Sequence, residues 1–134
     1  MAQYNDISDL CSRLRNGQSV RKLEISVKKT KKVSAILRVL KHEGFIRDFI
    51  IGTNDILVLL KYYSDKPTIN KILPISNRDR FTNVTIKQLK QRRKKDTKNF
   101  NGLGIFVLST PKGILSDQES INFNTGGQIL LRIL

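Results

Sequence analysis

The chain has 134 residues, of which 25 are Lys or Arg and 11 are Asp or Glu, for a formal net charge of +14. Such an excess repels itself in a compact fold until an anionic partner neutralises it, which points to nucleic acid first and to an anionic membrane surface second. One cysteine, Cys11, excludes an intrachain disulfide and an all-Cys zinc site; one histidine, His42, excludes His-rich metal sites; and no apolar run approaches the ~18 residues of a membrane span.

In chain order, "MAQYNDISDL" carries Asp6 and Asp9 and no apolar core, so it reads as neither a signal peptide nor an Arg-rich transit peptide. Asp6 is expected to cap a first helix whose stripe is Ile7, Leu10, Cys11 and Leu14, ended by Asn16-Gly17. Cys11 lies on that stripe and reads as a small buried hydrophobe. Lys22 to Val27 alternates, with Leu23, Ile25 and Val27 on one face, as a half-buried strand does. Thr30 caps a second helix with the stripe Val33, Ile36, Leu37 and Leu40, stopped by Gly44, and His42 falls in its last turn as a surface residue. Phe45 to Ile51 and Ile56 to Tyr63 read as a hairpin around Gly52 to Asp55, Ser64 to Pro67 breaks the chain, and Ile69 to Ile75 reads as a strand whose end or edge Pro74 marks.

Ser76 to Phe81 is polar and charged, and a domain boundary is expected there, with an α/β unit over 1–76 and a β-rich unit over 77–134. Thr85-Ile86-Lys87-Gln88 matches a capping box. It opens a basic helical insertion at about 85–98 holding Lys87, Lys90, Arg92, Arg93, Lys94, Lys95 and Lys98 against Asp96, with apolar residues only at its start. Such a helix docks by its first turn and projects cations toward phosphates. Residues 104–108, 114–115 and 128–134 read as strands, Ser109-Thr110-Pro111-Lys112-Gly113 as a tight turn, and Ser116 to Glu119 as the start of a short helix.

The remaining motifs point away from catalysis. Gly126-Gly127-Gln128 spells the tripeptide of peptide-chain release factors, but it runs straight into the strand "ILLRIL". Gly102-Leu103-Gly104 lacks the third glycine of a dinucleotide site. Asn83-Val84-Thr85 is a glycosylation sequon without a secretory signal, and Asp117 with Glu119 is a solvated or capping carboxylate pair. No general base, metal cluster or nucleotide site emerges, so no enzyme, no cofactor, no small-molecule substrate and no membrane partner are expected. On composition alone, a freestanding regulatory or nucleoid protein that binds RNA or DNA is the alternative.

Three separated stretches carry a resemblance. "GLGIFVLSTPKGILSDQESINFNTGGQILLRIL" over 102–134 resembles the C-terminal signature of the bacterial-type small-subunit ribosomal protein eight family: Gly-Leu-Gly-Ile, a strand, Ser-Thr-x-x-Gly, an acidic turn, Gly-Gly and a last strand. "DISDLCSRLRNGQ" resembles its opening helix, and "AILRVLKHEGFIRDF" its second helix and following strand. The resemblance implies an α+β fold, an N-terminal α-β-α-β-β domain packed against a smaller β-rich C-terminal domain. It also implies a structural constituent of the small ribosomal subunit that binds a central-domain helix of the subunit's RNA, supports assembly and touches neighbouring ribosomal proteins. Carried over, the RNA contacts are Ser109, Thr110, Lys112 and Gly113 with Gly126, Gly127 and Gln128. By position, Arg15, Lys29, Thr30 and Lys31 join them, and the basic insertion adds Arg92, Arg93, Lys94 and Lys95. The chain departs from the family pattern at Ser76-Asn77-Arg78-Asp79, where Ser-Lys/Arg-Pro-Gly is usual, in the longer basic stretch before Gly102, and in Gln128 for the usual Glu. Those departures, with the frequent Asn, Ile and Lys, suit a divergent member in the mitochondrial matrix or in a bacterial cytoplasm.

Overall fold

The computed structural model describes residues 2–75, 82–100 and 104–134. The expected boundary at 76–81, the departure at Ser76 to Asp79 and most of Gly102-Leu103-Gly104 lie outside them. α1 (Ala2–Ser19) buries the predicted stripe of Ile7, Leu10, Cys11 and Leu14 completely or nearly so. Burial pushes the Cys11 thiol up to about 12, as suits a packing residue.

Both predicted ends of α1 need correction. Asp6 lies inside the helix, 3.7 Å from Lys28 Nζ, and the helix runs through Gly17. A Cβ on Gly17 would sit 2.7 Å from Ile25 Cγ2 and 3.1 Å from Leu60 Cδ1, so this glycine serves close helix–sheet packing rather than termination. The stop falls at Arg21, left-handed at φ 59. Arg21 N–H donates to the Gln18 carbonyl and Lys22 N–H to the Gly17 carbonyl, the paired bonds of a Schellman end.

β1 (Glu24–Lys28), β2 (Ile46–Ile51) and β3 (Asp55–Leu60) form an antiparallel sheet in the order β1-β3-β2. Ile25 and Val27 point inward, but Leu23 is 73% exposed, because the alternation begins only where pairing does, at Glu24. α2 (Lys31–His42) starts as predicted: Thr30 is extended, and its side chain accepts from Val33 N–H. The stripe is buried together with Val39, and Gly44 is left-handed at φ 85. Ser64 (φ 53) and Asp65 (φ 64) turn β4 (Tyr62–Tyr63) into β5 (Lys66–Pro67), the two positive φ values of a type I′ hairpin.

Within the strand expected over Ile69 to Ile75, β6 (Ile72–Pro74) pairs in register with the end of the chain, and the backbones of Asn70 and Lys71 before it and Ile75 after it hydrogen-bond to Leu134 and Leu130 of that same segment. β7 (Asn83–Val84), unforeseen, follows the undescribed stretch. Then come α3 (Ile86–Phe100), β8 (Ile105–Thr110), β9 (Gly113–Ser116), α4 (Asp117–Asn122) and β10 (Gly127–Ile133). The second sheet runs β6-β10-β8-β9, and β7 also pairs with β10. Pro74 therefore sits on an edge strand, where a missing N–H is tolerated.

Helices and antiparallel sheets together make an α+β fold. α1 packs on β1 and β6, and α2 on β2 and β9, so both helices touch both sheets. One buried cluster accordingly joins Leu10, Leu37 and Val58 to Val107, Leu131 and Ile133. No helix among the described residues is long and apolar enough to cross a membrane.

Candidate nucleic-acid interface

Antiparallel register brings sequence-distant segments into one surface at the start of β10. Gln128 stands opposite Ser109 of β8 on one side and opposite Asn83 of β7 on the other. Directly opposed residues share a face of a sheet, so Asn83, Gln128 and Ser109 form a polar row across three strands. Their neighbours Val84, Leu108 and Ile129 point the other way, into a small apolar cluster with Leu89 and Phe106.

Glycine at 126 and 127 makes this pairing possible. A Cβ on Gly127 would run into the Ser109 carbonyl oxygen and press on Thr110 Cγ2, and one on Gly126 would meet the Val84 carbonyl oxygen. Close backbone approach is the requirement here. Across the turn, Thr110 pairs with Gly113 around Pro111 and Lys112. The Thr110 hydroxyl donates to the Gly113 carbonyl (2.8 Å) and accepts from Lys112 N–H (3.2 Å), while Gly113 takes a φ of 114 that favours glycine. Lys112 Nζ donates to the Phe123 carbonyl (3.1 Å) and lies 5.4 Å from that ring's centroid. Ser109, Thr110, Lys112, Gly113, Gly126, Gly127 and Gln128 are thus brought together.

α3 lies beside this surface. Its capping box is present: Gln88 N–H donates to the Thr85 hydroxyl (3.3 Å), and Thr85 N–H to Gln88 Oε1 (3.0 Å). Leu89 is fully buried, while Lys87, Lys90, Arg92, Lys94 and Lys95 are exposed. Arg93 differs. Its Nε is 3.3 Å from Asp117 Oδ2, and its guanidinium donates to Gln118 Oε1 (3.2 Å), tying α3 to α4. Asp117, expected to be solvated or capping, is buried, and Ser116 with Glu119 makes the capping box of α4 instead. Burial raises the Asp117 carboxyl above its usual range, against the lowering pull of Arg93 and of the N–H groups of Gln118 and Phe106.

The N-terminal nominees lie on other elements. Arg15 donates to the Ile72 carbonyl (2.8 Å), which pins α1 to β6. Lys29 donates from Nζ to the Gly52 carbonyl (3.1 Å), and Thr30 is the α2 cap. Lys31 is exposed in the first turn of α2, which holds no acidic residue and where the helix dipole disfavours a cation. An anion bound at that corner would offset the cost.

Sequence reasoning missed Asn83 and Phe123. Asn83 belongs to a two-residue strand with no periodic signal, and its place in the polar row comes from pairing with Gln128, 45 residues on. Phe123 is 52% exposed and had no apolar pattern to mark it. Among the described residues, no group of three or more His, Cys, Asp or Glu could hold a metal ion.

The family model for ribosomal protein S8 matches residues 5–134. Among curated relatives, the small ribosomal subunit protein uS8 of Rhodopseudomonas palustris (strain BisB18) is 37% identical over 138 residues, covering 99% of each chain. Those of Nitrobacter hamburgensis and Brucella anthropi are 36% identical with the same coverage. These relatives are bacterial, and nothing in them supports the mitochondrial expectation.

Proposed function

Because the chain belongs to the ribosomal protein S8 family, we propose that it reads a helix in the central domain of small-subunit ribosomal RNA with the surface where β10 enters the second sheet. The chain is a structural, non-enzymatic protein of the small ribosomal subunit, with ribosomal RNA binding general to its family. The freestanding binder that composition left open gives way to that membership, and a bacterial cytoplasm fits the relatives.

The observation that carries the reading is the placement of Gly126-Gly127-Gln128 between β7 and β8. It sets Asn83, Gln128 and Ser109 in one row beside the Thr110 to Gly113 turn. Glycines let a backbone come close, hydroxyls can engage ribose 2′-OH groups, and an unstacked region of RNA offers base edges to amides. Gln128 in place of the usual Glu keeps hydrogen-bonding capacity and adds a donor, which removes a carboxylate facing phosphates. Residues 77–134 would then be the RNA-reading part, with Arg92, Lys94 and Lys95 adding phosphate contacts. In this reading Arg93 orients the helix that carries them. Lys29, Thr30 and Lys31 would contact the RNA backbone from the start of α2, and Arg15 would act mainly by holding β6.

The test is an affinity titration against the isolated central-domain helix and a scrambled duplex at two salt concentrations. Ser109→Ala/Thr110→Ala is expected to weaken specific binding roughly tenfold to a hundredfold, from hydrogen bonds worth about 1.4–2.8 kcal/mol in sum. Thr110→Ser keeps the hydroxyl that closes the turn and should bind nearly as wild type does. Equal, steeply salt-dependent binding to both RNAs, unchanged in the double variant, would remove this reading.

A further inference from the structure

Between β7 and α3 the surface folds into a groove of 470 Å³ that the family resemblance does not assign. Its floor includes Val84, and its walls carry Asn83, Gln88, Gln91, Arg92 and Lys95. That volume is within the roughly 300–1,000 Å³ of small-ligand sites. Among its described lining residues the chemistry is one-sided: three carboxamides, two cations and no carboxylate. The groove between α2 and β9, lined by Arg38, His42 and Lys112, includes Glu119, which would oppose an anion.

The groups of the β7–α3 groove are also available. Gln88 uses its Oε1 on Thr85 N–H, which leaves its amide NH2 to donate. Among the described residues, neither Asn83 nor Gln91 has a side-chain hydrogen-bond partner, and neither Arg92 nor Lys95 has an ion-pair partner. A phosphate only accepts hydrogen bonds, whereas a base edge both donates and accepts, as a carboxamide does. Amide NH2 groups can donate to phosphate as well, but Asn83 and Gln91 also keep free carbonyl oxygens, which match the donors of a base edge and not a phosphate, while Arg92 and Lys95 supply charge for the phosphate. The guanidinium plane of Arg92 can in addition lie against a base face, in a groove whose named lining has no aromatic ring. Asn83 belongs to both surfaces, since it pairs with Gln128 in the polar row and lines the groove. One strand spacing, about 4.8 Å, separates the two.

We propose that the groove between β7 and α3 is a second RNA subsite that takes one unpaired nucleotide, with Asn83, Gln88 and Gln91 reading the base edge and Arg92 and Lys95 holding its phosphate. The subsite rests on the RNA reading above and deepens it: the basic insertion selects an unpaired residue next to the RNA helix that the Ser109 and Gln128 surface engages.

The experiment uses the full chain, labelled with nitrogen-15, titrated with single-stranded RNA tetranucleotides, with inorganic phosphate and with the central-domain helix. The expected result is movement of the side-chain NH2 signals of Asn83, Gln88 and Gln91 with the tetranucleotides and not with phosphate. Gln91→Ala/Lys95→Gln should weaken tetranucleotide binding about tenfold, while Arg38→Gln, on α2 and away from the groove, should change it little. All three substitutions are at exposed helix positions, so the fold should tolerate them. Movement confined to 109–113 and 126–128 would overturn the subsite and leave the RNA reading standing. Equal movement with phosphate alone would reduce the groove to an anion site without base reading, which also overturns it. Silence everywhere, with the central-domain helix included, would bring down the RNA reading itself.

Discussion

α2 and α3 are held to the protein by opposite means. In its 12 residues α2 buries Val33, Ile36, Leu37, Val39 and Leu40, and it packs against strands of both sheets. α3 has 15 residues; among those whose burial is described only Leu89 is fully buried, and a second fastening is the polar contact of Arg93 with Asp117 and Gln118. The first arrangement makes a helix part of the core. The second fixes one end and one side of a helix and leaves exposed cations over the rest of its described surface. A helix meant to meet phosphates cannot surround itself with apolar neighbours, so it needs a few strong points of attachment, which are also its weak points.

The largest expected effect separates the two helices directly. Leu37→Ala empties a fully buried site in the main core and should lower the free energy of unfolding by about 2–5 kcal/mol in urea denaturation. Leu89→Ala removes a comparable side chain, but from the small cluster with Val84, Phe106, Leu108 and Ile129. It should cost less globally and act mainly on α3, as faster amide hydrogen exchange over residues 86–95 with the α2 amides unchanged. Equal global losses from both substitutions would erase the distinction.

Next in size is Arg93→Gln. It removes the cation that ion-pairs with the buried Asp117 carboxylate, at a cost of about 1–3 kcal/mol. The same hydrogen-exchange measurement should show α3 loosening beyond Leu89 while its capped first turn stays protected. Arg92→Gln, at an exposed cation with no ion-pair partner among the described residues, should leave exchange as in wild type. If Arg92→Gln loosened the helix equally, Arg93 would have no special role in holding it.

The two helices also differ in how far the sequence discloses them. The α2 stripe and its Thr30 cap follow from local spacing, because a helix that must bury one face repeats every 3.6 residues. The capping boxes at Thr85/Gln88 and Ser116/Glu119 are equally local. Arg93 could not be told from its cationic neighbours, since its partner Asp117 is 24 residues away and its role comes from where α4 lies. For the same reason Gly17 looked like a terminator: only Ile25 and Leu60, across the packed interface, show why it lacks a side chain. Within the candidate interface, the turn and glycine motifs were legible, and so was the basic character of α3. The polar row was not, because β7 is two residues long and gains its meaning from register with β10.

The smallest effect tests the comparison by its sign. At the end of α2, Lys41 Nζ lies 3.0 Å from Asp48, and the hydrogen bond from Lys41, then that from Phe49 N–H, hold the Asp48 carboxyl below its usual range. A lowered native pKa contributes stability above the unfolded value near 3.8, lost as pH falls through the native one. Asp117 behaves in the opposite way. Its burial outweighs Arg93, so its native pKa is raised, and its contribution is complete below 3.8 and lost as pH rises through the raised value. Urea titrations of wild type, Asp48→Asn and Asp117→Asn from pH 3 to pH 7 should therefore diverge. Relative to wild type, Asp117→Asn should gain as pH rises above 3.8, and Asp48→Asn should gain as pH falls below it. The Asp48 effect should be the weaker and should fade with added salt, because that pair is open to solvent. The same sign for both variants would mean that Arg93 overcomes the burial of Asp117, and α3 would then be fastened by an ordinary stabilising ion pair.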